Sequence, residues 1–216
     1  MRTLFLNPNS DASITATFRQ RIDALARTGE AYEVARLPGS PRIIASPEDN
    51  LQAQAVLLDS LEAGVAGGFQ RLVLMSSLDT GYEVAQTRTP LRVHGFTRSV
   101  LEWNRRQGRR LHAVTFDAAM TPLYQALFES PGCAGVVRSI STVPMSPASV
   151  TGSNRQAMEA VRALCRDSHA TPETPLFIVG AVGLTIAQTL RNEDALPIID
   201  PVADLLARLD MRADPR

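Results

Sequence analysis

Apolar residues along this chain fall into two rhythms. Short unbroken runs, Leu4-Phe5-Leu6, Leu72-Val73-Leu74-Met75 and Leu176-Phe177-Ile178-Val179, predict strands buried on both faces. Between them apolar positions recur every three or four residues. Ile14, Phe18, Ile22 and Leu25 predict an amphipathic helix from about Ala12 to Arg27, capped by Ser10 or Asp11 and closed by Gly29. Tyr32 to Leu37 alternates as a strand, and Pro38-Gly39-Ser40-Pro41 is loop. Ser46-Pro47-Glu48-Asp49 starts a helix that runs to about Ala63, with Pro in the first helical position.

The same reading continues downstream. A helix is predicted from Tyr82 to about Thr87, a short strand over Leu91 to Gly95, a helix over Thr97 to Gln107, and a strand over Leu111 to Thr115. Thr121-Pro122 begins a helix, Gly135 to Ile140 is a strand, and Val143 to Val150 is a Pro/Ser loop. Asn154 to Cys165 is helical, and the run at Leu176 leads through a small-residue turn into a helix ending near Leu190. Leu196 to Pro201 is a short strand, and Val202 to Leu209 is a closing helix. Strands alternating with helices predict an α/β fold with parallel sheets. The two halves echo one another: a strand with a polar loop at Asn7 and again at Thr115, a strand with a tight turn at Ser76 and again at Ala181. The expectation is two similar lobes, each a parallel sheet flanked by helices, with a cleft between them.

Open α/β sheets bind ligands at the carboxyl ends of their strands, where helix starts present free N–H groups. Two stretches lead there: Ser76-Ser77-Leu78-Asp79-Thr80-Gly81-Tyr82 and Gly180-Ala181-Val182-Gly183. Composition narrows what they can do. Every basic side chain counted is Arg and none is Lys, so Schiff-base and pyridoxal phosphate chemistry, and a P-loop, are excluded. The formal net charge is +0, which gives no bulk attraction for nucleic acid or an acidic membrane surface. Cys133 and Cys165 show neither metal spacing nor a disulfide pattern, and no apolar run approaches the ~20 residues of a membrane span. A reduced cytoplasmic protein with no metal and no cofactor is expected.

Asn7-Pro8-Asn9-Ser10 after the first strand resembles the opening motif of hydantoin racemases, in the aspartate/glutamate racemase superfamily. Asp79-Thr80-Gly81-Tyr82 is similar to that family's Asp-Pro-Gly-Leu. Val114-Thr115, Val137-Arg138, the Gly180 to Leu184 turn and Ile199-Asp200 match further positions in order. The resemblance implies a first lobe of residues 1–94 plus 197–216 and a second of 95–196. It also implies two cysteines, one on each side of the substrate α-carbon, which pass protons as thiol and thiolate with a reference pKa of ~8.5. Aligned residue by residue, those positions hold Ser76 and Ala181. Thiol-based two-base racemisation is therefore not expected; the binding cradle of backbone N–H groups at Ser77-Leu78 and at Val182-Gly183 is.

Each remaining candidate has a bland reading beside the functional one. Ser76 is a ligand donor or a small turn residue. Asp79 is an acid/base or the N-cap of the helix from Thr80 onward. Tyr82 closes over the cleft or begins that helix beside Glu83. His94 is by residue type the best-placed general base, or a structural histidine. Asn7, Ser77, Thr115, Ala181 and Val182 are expected to contact the ligand. Arg105-Arg106-Gln107-Gly108-Arg109-Arg110 is a solvated helix end rather than a nucleic-acid surface. The leading expectation is a cofactor-independent isomerase or lyase, without cysteine chemistry, acting beside a carbonyl of a small carboxylate, amide or cyclic imide. Its catalytic residues are Ser76, His94 and Asp79. The rivals are an inactive binding or regulatory protein that kept the pocket, and a hydrolase with Ser76 as nucleophile and His94 as base. A homo-oligomer is expected, with Trp103 in the core or at a subunit interface.

Overall fold

The computed structural model describes residues 1–116, 118–145 and 155–213, with the side chain of Val182 outside that description. The end of the Pro/Ser loop, 146–150, and the expected helix start at Asn154 also lie outside the described residues. The chain forms an α/β fold of two compact units, Met1–Ser99 with Leu206–Arg216, and Val100–Leu205.

The first unit runs β1 (Thr3–Asn7), α1 (Ala12–Leu25), β2 (Tyr32–Arg36), α2 (Pro47–Glu62), β3 (Arg71–Leu74), α3 (Tyr82–Arg88), β4 (Arg92–Gly95) and the start of α4 (Phe96–Arg106). Its sheet has the order β2-β1-β3-β4, and every neighbouring pair is parallel. β1 and β3 are central and buried throughout, which is why their sequences are unbroken apolar runs rather than alternating ones. Leu4, Leu6, Leu72 and Leu74 share a face and pack with Leu57 of α2 and Ala85 of α3. Each fully buried leucine contributes about 1.5–3 kcal/mol. Asp11 caps α1, its carboxylate accepting from the N–H groups of Ser13 at 2.8 Å and Ile14 at 2.9 Å. Ser46 caps α2 through the Asp49 N–H at 3.0 Å, with Pro47 following.

The second unit runs β5 (Leu111–Thr115), α5 (Thr121–Glu129), β6 (Val137–Thr142), α6 (Arg155–Asp167), β7 (Leu176–Ile178), α7 (Ala181–Asp194) and α8 (Pro201–Arg208). Its parallel sheet has the order β6-β5-β7. Val114, Leu176 and Ile178 of the sheet pack with Val161 of α6 and with Ile186 and Leu190 of α7. The strand expected at Leu196 to Pro201 is instead a single bridge between Leu176 and Ile198. Pro197 and Pro201 have no N–H to extend a ladder. Ile198 packs into this unit's core, and the chain returns to the first unit at Leu206.

Among the described residues, no helix is long and apolar enough to cross a membrane.

Candidate functional site

The Met75 N–H donates to the Leu6 carbonyl at 2.9 Å, so the extended pairing of β3 continues one residue past the strand. The chain leaves the sheet at Ser76, which is buried. Thr80 Oγ1 donates to Asn50 Oδ1 at 2.7 Å. A hydroxyl has one proton, so in the 2.9 Å bond between Ser76 Oγ and Thr80 Oγ1 the serine is the donor. Ser76 Oγ in turn accepts the Leu78 N–H at 3.2 Å. The result is a directed chain from Leu78 N–H through Ser76 and Thr80 to the Asn50 amide oxygen. An amide carbonyl takes no proton near neutral pH, so this chain positions the serine hydroxyl but does not activate it as a nucleophile.

Asp79 adopts a left-handed backbone with φ 52°, which aspartate tolerates better than most side chains. Its carboxylate is buried and accepts the N–H groups of Thr97 at 2.8 Å and Arg98 at 2.9 Å. It therefore caps α4. This corrects the expected capping of the helix after Thr80: α3 starts behind Gly81 with no side-chain cap. Burial raises the Asp79 pKa to about 7, opposed by the Arg98 and Thr97 N–H groups and by the Arg98 charge, with Glu83 adding to the rise. Arg98 Nε lies 3.7 Å from Asp79 Oδ2, and the guanidinium also pairs with Glu83. The guanidinium carbon sits 4.7 Å above the Tyr82 ring, and Tyr82 OH accepts from Gln86 Nε2 at 2.9 Å.

Other expected site residues fall differently. His94 is half-buried on β4 and level with Val73, three residues short of Ser76. At ~3.3 Å per residue that offset is about 10 Å along the strand. Register thus gives the Ser76–His94 nucleophile and base pair no support, and His94 sits one residue before the end of β4. Asn7 is fully buried, and its amide is used internally: Nδ2 donates to Asn9 Oδ1 at 2.8 Å and Thr15 Oγ1 at 3.0 Å, while Oδ1 accepts the Asn9 N–H at 3.3 Å. It braces the turn into α1 in place of the expected ligand contact. Ser77 is half-buried, and its carbonyl accepts from Thr97 Oγ1 at 2.7 Å.

In the second unit Thr115 ends β5, buried, and its carbonyl accepts the Val143 N–H at 2.8 Å. Ala181 opens α7 behind Gly180 and is half-buried. The expected cradle at Val182-Gly183 is altered, because the Gly183 N–H donates to the Gly180 carbonyl at 3.0 Å. A side chain at Gly183 has no room: its Cβ would lie 2.1 Å from the Ile178 carbonyl oxygen, so α7 begins hard against the end of β7. The expected side-chain role of Val182 lies outside the described residues. Cys133 and Cys165 are both buried, Cys165 on α6 within the core, where burial pushes its thiol pKa up. Among the described residues, no group of three or more His, Cys, Asp or Glu side chains is placed to hold a metal ion.

Three members of the site had no sequence signal of their own. Asn50 reaches Thr80 from α2, thirty positions away. Thr97 holds both Ser77 and Asp79 from the start of α4. Gly95 is needed because a Cβ there would lie 2.4 Å from Asp79 Cγ.

Comparison with known proteins bears on this arrangement. The chain is similar in structure to allantoin racemase from Klebsiella pneumoniae, with a TM-score of 0.82 and 20% identity over 99% of this chain and 90% of that one. It is similar to allantoin racemase from Pseudomonas fluorescens, with a TM-score of 0.82 and 20% identity over 99% of this chain and 94% of that one. A double mutant of arylmalonate decarboxylase in its liganded form matches with a TM-score of 0.66 and 14% identity over 97% of this chain and 92% of that one. At these identities the likeness establishes the fold. A search of curated proteins found no match. The family model for Asp/Glu/Hydantoin racemase matches residues 4–209. With that model spanning nearly the whole length, this chain belongs to the Asp/Glu/Hydantoin racemase family.

Proposed function

We propose that this protein is a cofactor-independent lyase or isomerase of its family. It acts on carbon next to a carbonyl or carboxylate in a small acid, amide or cyclic imide, and works without cysteine. The observation that carries this reading is the directed chain from Leu78 through Ser76 and Thr80 to Asn50, at a position where the family resemblance implies a thiol.

Of the two reaction types the bonding favours the lyase. Proton abstraction needs a base. The carboxylates of Asp11 and Asp79 at this edge are both engaged by helix N-terminal N–H groups. Cleavage of a carbon–carbon bond, as in loss of a carboxylate as CO2, leaves its electron pair on the substrate carbon without any base. It needs donors to the neighbouring oxygen, where the charge spreads. Ser76 O–H and Leu78 N–H are such donors once they turn from their internal partners to a ligand oxygen. A solvent proton then completes the product. Decarboxylation is the activity named for one structural neighbour. The same neutral chain favours a second reading, ligand binding without turnover, since it offers nothing that accepts a proton.

The thiols provide the test. In a screen of small malonate-type diacids, carboxylates, amides and hydantoins, turnover by the Cys133→Ser/Cys165→Ala variant is expected to match the parent. Loss of turnover, together with substrate protection of either thiol from alkylation in the parent, would place a cysteine in the chemistry. Saturable binding without product would support the second reading.

A further inference from the structure

At the amino edge of the first sheet, opposite the end that holds Ser76, Arg71 opens β3 and Arg92 opens β4. The two are register partners, so their side chains leave one face of the sheet side by side. Like charges placed directly opposite one another on a sheet are destabilising. Arg71 is only 9% exposed; its Nη1 donates to the Leu209 carbonyl at 3.3 Å, and its Nε has no partner. Arg208, in the last turn of α8, adds a third guanidinium within electrostatic reach.

The acids near Arg71 are Glu30 and Asp210, and Arg27 engages both, at 3.0 Å and 3.6 Å. Arg92 is exposed, and among the described residues its side chain has no acidic partner. Burial pulls the Arg71 pKa below its ordinary value. Glu30 and Asp210 raise it, while Arg92 and Arg208 lower it further. The carboxyl end of α8 explains part of this arrangement, because cations suit a helix C-terminus. It explains neither the pairing of Arg92 with Arg71 nor the orphaned Nε.

We propose that Arg71 and Arg92 form a binding site for a compact divalent oxyanion of the phosphate type, separate from the Ser76 edge. The planar fork of arginine matches phosphate oxygens in pairs. A divalent anion would offset the repulsion between the paired guanidinia.

The test uses the full chain and inorganic phosphate, with thermal unfolding read against sodium chloride at equal ionic strength and pH. Phosphate is expected to raise Tm by ~2–6 °C. The exposed Arg92 is changed in place of the buried Arg71. Arg92→Gln is expected to raise Tm in chloride by ~1–3 °C, because the repulsion is relieved. It should also lose the response to phosphate. Two results would overturn the proposal: no phosphate-specific shift in the parent, or a shift that persists in Arg92→Gln. A fall in Tm for Arg92→Gln in chloride would overturn it too, since it would show that Arg92 already stabilises the unliganded fold.

Discussion

Ser76→Ala is expected to lower turnover by ~10²–10³ while leaving the fold intact, the loss typical of removing one donor to a developing oxyanion. The hydroxyl is buried but small, and its removal leaves Thr80 bonded to Asn50 at 2.7 Å. Leu78, half-buried, loses its acceptor and can turn to water. The folded state therefore loses little. A donor that acts on charge formed during the reaction lowers kcat and kcat/KM together, whereas one that merely holds substrate raises KM. Thr80→Val should follow in the same direction with a smaller effect, because it removes only the group that orients the Ser76 proton. Steady-state kinetics of the two variants check this. Unchanged kcat in both would move the chemistry away from the end of β3.

Gly95→Ala is expected to destabilise the chain by roughly 2–4 kcal/mol, through the cap it would displace. The added Cβ would lie 2.4 Å from Asp79 Cγ and 2.5 Å from Oδ2, and the carboxylate has nowhere to go, being buried and bonded to Thr97 and Arg98. The double variant Gly95→Ala/Asp79→Gly isolates the cause, since glycine accepts the φ of 52°. In that background Gly95→Ala should cost much less than it does alone. Equal costs in both backgrounds would mean that the clash is not with Asp79. Titration supplies a second readout. The Asp79 pKa is raised to about 7, so the folded state binds the proton more tightly than the unfolded one. The contribution of this group to stability is full below about pH 4 and is lost as pH rises through about 7. Asp79→Asn, neutral throughout, should flatten that slope in urea unfolding measured between those limits.

The strands and helix starts were legible because their signals are local. Leu72-Val73-Leu74 reads as a central parallel strand from its own composition, and Ser46-Pro47 reads as a cap followed by a first helical turn. The turn after β3 was legible as the carboxyl end of a central strand for the same reason. Its wiring was not. Asp79 has the residue type of a cap, but it caps a helix eighteen positions away, a partner set by the pairing of β3 with β4. His94 was attractive for its pKa range, yet strand register places it level with Val73, and no feature of its own sequence encodes that offset. Asn7 looked like a ligand contact because it ends a strand in a polar loop; the same polarity serves the loop itself through Asn9 and Thr15. The short strand expected near Ile198 failed on its flanking prolines, whose missing N–H groups outweigh the apolar run.

Isotope labelling of product tests the thiol-free reading most directly. Ser76 stands where the family resemblance implies one thiol, and Ala181, which has no exchangeable side-chain proton, stands where it implies the other. With a prochiral substrate turned over in deuterium oxide, the product is expected to carry one deuterium in a single configuration, and the unreacted substrate none. Deuterium in both configurations together with label washed into recovered substrate would contradict this reading and show that a pair of proton-transferring groups works on both faces of the carbon.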